Sequence, residues 1–282
     1  MGDPHFLTHF TFDGFRGYRS RLDDLKLLQE LMEELPSKLG LDPVMPPILL
    51  PYYNGMVPED CGISAFVLLR GGHFTIHTFS YGEAVFADLA HPGLYDVRQA
   101  RVLLEQIFPC AYIDTSAVRR GSGGDATSPR AQTIDRRTDF GPHLFMRLEP
   151  YAGPTTMDGL FDLFDGLPGG VGMTPIMRPY LLKTPWPTGG HVLSALTMIA
   201  ESHISLHVFP WGEAYFDLFS CKFFDSDAVV SALETQLGGN VVQRLMVARG
   251  SRFKEQRTQR NEVQEHTNRW LKALTPPALD SR

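Results

Sequence analysis

The sequence predicts an α+β protein made of two tandem α/β-sandwich repeats, each an antiparallel sheet with helices on its outer face. Three observations lead there. The order strand, helix, strand, strand, strand, helix is read once before residue 121 and again after residue 140. Residues of the first copy recur in the second at an offset of 130, as His73 and His77 do in His203 and His207. The strands alternate polar and apolar residues, which gives each an apolar face for helices.

The elements follow in order. His9-Phe10-Thr11-Phe12-Asp13 alternates and reads as a strand. From Asp23 to Leu35, Leu25, Leu28, Met32 and Leu35 share a helical face, and Pro36 stops the helix. Pro43 to Pro58 is proline-rich and reads as irregular. Ile63–Leu69, Phe74–Phe79 and Glu83–Leu89 are strands, with Ser80-Tyr81-Gly82 turning between the last two. Asp96 can cap a helix through Phe108. Residues 122–139, rich in Gly, Ser and Thr, read as a linker.

The second half repeats the plan. His143–Leu148 is a strand, Met157–Leu167 a helix, and Pro168 to Pro187 irregular. Leu193–Ile199, Ile204–Phe209 and Ala214–Phe219 are strands, with Pro210-Trp211-Gly212 as a turn. Ser226 can cap a helix over Asp227–Leu237, ended by Gly238-Gly239. Ser194-Ala195 repeats Ser64-Ala65, and Phe209, Gly212, Glu213, Ala214 and Phe216 repeat Phe79, Gly82, Glu83, Ala84 and Phe86. The shared offset without a gap indicates tandem duplication. Arg249-Gly250 mirrors Arg120-Gly121 with a shift of 129. The organisation is a first repeat (1–121), a linker (122–139), a second repeat (140–250) and a charged helical tail (251–282). The tail is expected to lie on the surface, either solvated or meeting a partner.

Composition narrows the function. The 282 residues are 43% hydrophobic and 21% charged, enough for a packed core. A net charge of −6 argues against nucleic-acid binding. No run approaches a membrane span, and no secretory signal is visible. Cys61, Cys110 and Cys221 are odd in number, far apart and without metal-ligand spacing, which fits a reducing cytoplasm.

The chemistry concentrates in Ala200-Glu201-Ser202-His203-Ile204-Ser205-Leu206-His207, running on to Cys221. Along a strand His203, Ser205 and His207 share one face, as His73, Thr75 and His77 do in the first copy. Each half thus has a polar face holding two histidines, and a cleft between the halves is the natural place for them. Several readings follow. The strands can be ordinary amphipathic surface strands. The four histidines can meet across a pseudo-twofold axis and bind zinc, although His-x-x-x-His is a weak signal on strands. Ser202 lacks the Gly-x-Ser-x-Gly elbow of a hydrolase.

Glu201-Ser202-His203, His207, Cys221 and Ser194, eight residues before Ser202, resemble the signature of prokaryotic S-adenosylmethionine decarboxylases. The resemblance covers both halves from about residue 8 to 250. It implies a pseudo-twofold αββα fused dimer with a degenerate N-terminal copy. It implies autocatalytic cleavage between Glu201 and Ser202, turning Ser202 into a pyruvoyl cofactor with no metal. That group would form a Schiff base with an amino-acid-like substrate and take up the electrons left by CO₂ loss. Cys221 falls on the family's catalytic acid. Ser64 and His77 fall on the residues that the other subunit lends to processing. Ser194 and His207 would belong to an inactive second pseudo-site, with Gly72 in place of the cleaved serine and His91 in place of the cysteine.

The resemblance implies a carboxy-lyase of polyamine biosynthesis acting on S-adenosylmethionine. The match departs at the substrate contacts. The family's ribose-binding glutamate, four residues after the processing histidine, falls on Tyr81, with Glu83 two residues late. Its adenine-stacking aromatic falls on Pro58, for which Tyr52 or Tyr53 could substitute. Arginine or ornithine therefore stands as the alternative substrate on the same chemistry, and a non-enzymatic or metal-binding homologue as a second alternative. Association of the fused chain into a homodimer is left open.

Overall fold

The computed structural model describes residues 5–52, 61–121, 133–251 and 253, arranged as four layers: helices, sheet, sheet, helices. The first sheet holds β1 (Phe6–Phe15), β2 (Ile48–Tyr52), β3 (Gly62–Leu69), β4 (Gly72–Phe79), β5 (Ala84–Pro92) and β6 (Tyr112–Gly121), in the order β2-β3-β4-β5-β1-β6. The second holds β7 (Gly141–Leu148), β8 (Tyr180–Pro185), β9 (His191–Ile199), β10 (Ser202–Val208), β11 (Ala214–Ser220) and β12 (Val241–Arg249), in the order β12-β7-β11-β10-β9-β8. Read from opposite ends the two orders are the same, so β8 is the counterpart of β2 and β12 of β6. Every pairing is antiparallel. After the single turn of α1 (Arg19–Leu22), helices α2 (Leu25–Lys38) and α3 (Val97–Ile107) cover the first sheet. Helices α4 (Met157–Gly170) and α5 (Ser226–Leu237) cover the second.

Strand alternation sorts the side chains. Phe10, Phe12, Ile76 and Leu89 pack against Leu28, Met32 and Leu104 of the helices, and Ile204, Leu206 and Leu218 pack against Phe164 and Leu233. The opposite faces meet in the middle of the molecule. They bring His9, Asp13, His73, His77 and Asp88 against His143, His203, His207, Asp217 and Arg249, all at most 5% exposed. Such a layer stands only because its groups are paired. Arg249 reaches Asp13 at 2.7 Å and Asp88 at 2.6 Å, and Arg120 reaches Asp217 at 2.7 Å. Each half thus supplies the cation for the other's carboxylate.

Several elements differ from the sequence expectation. The irregular stretches around Pro43–Pro58 and Pro168–Pro187 contain strands β2 and β8, despite Pro51 and Pro185. Both are edge strands, where a missing N–H can face away from the ladder. Strands β6 and β12 were not foreseen, because the charged residues Asp114, Arg119, Arg120 and Arg244 interrupt their apolar pattern. Pro36 does not stop α2, which runs on to Lys38; so near its end proline removes a single helical hydrogen bond. Asp225, not Ser226, caps α5 by accepting from the backbone N–H groups of Asp227 and Ala228.

The gapless offset also breaks. His73 faces Ala90, and His203 faces Phe219, so beyond the hairpin turn the halves correspond at 129. One residue fewer in the second turn flips the strand over. Phe86 therefore lies between the sheets, whereas Phe216 lies under the helices, and the true counterpart of Phe86 is Tyr215. By the same register Asp88 matches Asp217, and Cys221 matches Pro92 rather than His91.

Most of the expected linker (122–132), nearly all of the expected tail and Tyr53 lie outside the described residues. No described helix is long and apolar enough to cross a membrane.

Candidate active site

Strands β9 and β10 are joined by the two residues Ala200 and Glu201, with Ile199 paired to Ser202. The turn is fastened from below by Thr174. Its carbonyl accepts the Ala200 N–H at 2.8 Å, and its own N–H and hydroxyl donate to the Glu201 carboxylate at 3.0 and 3.2 Å. The Glu201 carbonyl accepts the backbone N–H of Cys221 at 3.0 Å. The Glu201–Ser202 peptide is thus held at both ends, with a donor aimed at its carbonyl oxygen.

Ser202 is 3% exposed, and its Oγ lies 3.3 Å from His203 Nδ1. The same Nδ1 is 3.0 Å from Nε2 of His77, whose Nδ1 is 2.8 Å from Ser64 Oγ. An unbroken chain of side chains therefore links Ser64 and His77 of the first half to His203 and Ser202 of the second. Ser64, His77 and Ser202 share a narrow cleft completed by Phe79, Ile176 and Ile199, with about 10 Å³ of space for the centre of a water molecule. Cys221 meets the site through its backbone, and packs against the aromatic cluster of Phe15, Phe86, Phe140 and Phe219 to which Phe79 also belongs.

The pseudo-twofold copy has the same wiring and no nucleophile. Ser194 Oγ is 2.9 Å from His207 Nδ1, and His207 Nε2 is 2.9 Å from His73 Nδ1. The chain ends there, because the residue before His73 is Gly72. A Cβ on Gly72 would lie 2.0 Å from the Ala90 carbonyl oxygen, so this backbone excludes any side chain. Gly71, the counterpart of Glu201, turns with φ 75°, where glycine is at ease.

Burial sets the electrostatics. It lowers His203 to about 4 and His207 to about 3, and holds His73 and His77 well below the usual histidine range. All four imidazoles are neutral at pH 7, each with one donor and one acceptor. Around Arg249 there are two carboxylates for one guanidinium. For both, burial opposes ionisation. At Asp88, Arg249, His143 and His9 outweigh it and hold the carboxyl well below its usual range; at Asp13 burial prevails and the carboxyl is raised.

The four strand histidines pair two by two rather than gathering about one point. Two other groups come close enough to suggest a cation: His9, Asp88 and His143, and His9, His73 and Asp217. In each, an arginine already fills the role. Arg249 donates to Asp88 and to His143 at 2.6 and 2.9 Å, and Arg120 to Asp217 and to His9 at 3.2 and 3.3 Å.

Tyr81 and Glu83 do not line the Ser202 cleft. Tyr81 is half exposed with Arg19 over its ring at 5.5 Å, and Glu83 pairs with Arg19 at 3.6 Å. Sequence reading missed Thr174, Asp88, Asp217 and the arginine partners. The repeated Arg120 and Arg249, offset by 129, were the available signal; one gap at the turn would have aligned Asp88 with Asp217 as well.

A family model described as S-adenosylmethionine decarboxylase matches residues 8–121 and 170–250, more than half of the chain. Among solved structures, the adenosylmethionine decarboxylase from Aquifex aeolicus VF5 is 18% identical, covering 45% of this chain and 99% of that one, with a TM-score of 0.37. An unknown protein from Galdieria sulphuraria is 10% identical, covering 86% and 98%, with a TM-score of 0.21. No curated protein sequence matches at a significant level.

Proposed function

The chain belongs to the S-adenosylmethionine decarboxylase family, and on that premise we propose that it cleaves itself at Glu201–Ser202 and works as a pyruvoyl-dependent decarboxylase in polyamine biosynthesis. One observation carries this: the peptide to be cut has its carbonyl on the Cys221 N–H and its serine Oγ on His203, in a cleft shared with Ser64 and His77 of the other half.

The residues fit such a group. Position 202 stands at the head of β10, buried, beside hydroxyl and imidazole groups and free of charged neighbours in its cleft. A pyruvoyl carbonyl there supplies an electrophile for the substrate amine and an electron sink for loss of CO₂. Ser64 and His77 hold His203 and assist processing, and Cys221, whose backbone N–H meets the Glu201 carbonyl, is the proton donor. The Ser194–His207 copy serves structure. The uncut cleft holds little more than a water, so space for a small-molecule substrate comes from release of the Ala200–Glu201 turn after cleavage. No disulfide joins Cys61, Cys110 or Cys221, which suits a cytoplasmic setting.

Denaturing mass spectrometry tests the reading: fragments 1–201 and 202–282 are expected, and a chain persisting whole at 31.6 kDa after long incubation sinks it. S-adenosylmethionine is the leading substrate. The exposed Tyr81 at the ribose position favours arginine or ornithine as the second reading. Release of CO₂ from the three compounds, assayed side by side on the cleaved protein, separates them.

A further inference from the structure

We infer that His203 is the base that begins cleavage, taking the proton from Ser202 Oγ as that oxygen attacks the Glu201 carbonyl, while His77 and Ser64 of the other half hold its ring in place. The inference rests on the self-cleavage proposed above and adds a role that the motif alone does not assign.

The geometry separates the two histidines of the cleft. His203 Nδ1 is 3.3 Å from Ser202 Oγ; His77 reaches that oxygen only through the same Nδ1, at 3.0 Å. With the His203 proton on Nε2, its Nδ1 lone pair faces both the serine hydroxyl and the His77 Nε2–H. Ser64 then donates to His77 Nδ1 at 2.8 Å, which completes the chain from one half to the other. Burial keeps His203 neutral, so its lone pair is available. The imidazolium formed in the step is offset by the nearby charges of Asp88 and Asp217.

The step balances. The Oγ–H proton passes to His203 Nδ1, and Oγ bonds to the Glu201 carbonyl carbon. The carbonyl oxygen gathers negative charge against the Cys221 N–H, 3.0 Å away. As the carbonyl re-forms, the carbon–nitrogen bond breaks and the Ser202 nitrogen takes the proton back from His203. An ester and a free amine replace the amide, and the base is restored.

The fold provides its own control. His73 is as buried as His203 and bonds to His207 as His203 bonds to His77, but it faces Gly72, which has no hydroxyl. The full chain is pulse-synthesised as wild type, His203→Gln and His73→Gln, and cleavage is followed by denaturing mass spectrometry. Glutamine keeps a hydrogen-bonding group but accepts no proton. His203→Gln is expected to slow cleavage at least ~100-fold, and to stay whole in hydroxylamine because no ester forms. His73→Gln is expected within about 3-fold of wild type. A wild type that never cleaves removes the underlying reading. A cleaving wild type beside a His203→Gln that cleaves equally fast, or that accumulates a hydroxylamine-sensitive ester, overturns the inference alone.

Should His203→Gln fail to fold by circular dichroism, the wild-type pH profile decides. His203 is faced by His73 and His77 from β4, Asp88 from β5, Asp217 from β11, His9 from β1, His143 from β7 and Arg249 from β12. A base lowered to about 4 is active above that pH, so cleavage should be flat from pH 8 to about 5 and half lost near 4. A midpoint near 6.5 overturns the assignment.

Discussion

His77→Ala and His207→Ala form a matched pair that tests the trans-half site. Both imidazoles are at most 2% exposed. Each bonds to a serine and a second histidine at 2.8–3.0 Å. The structural penalty should therefore be alike, about 1–3 kcal/mol for stranding buried partners. The functional penalty differs. The His77 chain continues through His203 to Ser202, whereas the His207 chain ends at His73 and Gly72. His77 holds the His203 ring in place, and proton transfer by a positioned side chain contributes roughly 10²–10⁴ in rate, or about 2.7–5.4 kcal/mol at 1.36 kcal/mol per decade. His77→Ala should thus slow cleavage at least ~100-fold more than His207→Ala. The assay is the ratio of whole to cut chain after pulse synthesis, with circular dichroism confirming equal folding. Ratios within about 3-fold of each other, or a reversed order, would refute the shared site.

Three further outcomes are expected, each measured in a Ser202→Ala background so that the chain stays whole. Arg249→Met strands Asp13 and Asp88 and should cost about 3–5 kcal/mol, lowering Tm by roughly 10 °C; a shift under about 2 °C would mean that the layer relaxes. His73, His77, His143, His203 and His207 all have lowered pKa values, so the unfolded chain takes up protons first as pH falls below 6.5. Their contribution is therefore complete above 6.5 and is lost as pH drops toward the folded values, at up to about 1.4 kcal/mol per pH unit for each; a Tm unchanged between pH 7.5 and 5.5 contradicts this. Gly72→Ser should create no second cleavage site and should destabilise, because its Cβ meets the Ala90 carbonyl at 2.0 Å; fragments ending at Gly71 in that variant would show that the first half can be revived.

Much of the fold was legible because alternation and duplication speak through the same residues. His203 and His73 announce strands that share a polar face, and the face-to-face packing follows from having two of them. What was hidden had local causes. Pro51 and Pro185 masked edge strands that need no N–H on one side. A one-residue difference in a hairpin turn misaligned β11, and with it concealed the Asp88–Asp217 equivalence. In the site, the family resemblance, laid over the repeat, implied that Ser202, Ser64 and His77 come together. Thr174 could not, since its grip on Glu201 is a contact across 27 residues with no motif.

Gly72 has a meaning for inheritance. In an assembly of identical chains, one codon specifies both symmetric positions, so losing the serine would silence both sites at once. Here positions 72 and 202 are written separately. The first can be given to a glycine that closes its own strand while the second keeps the reactive hydroxyl. Joining the halves turned one constrained position into two free ones, and only one of the two sheets carries a serine there.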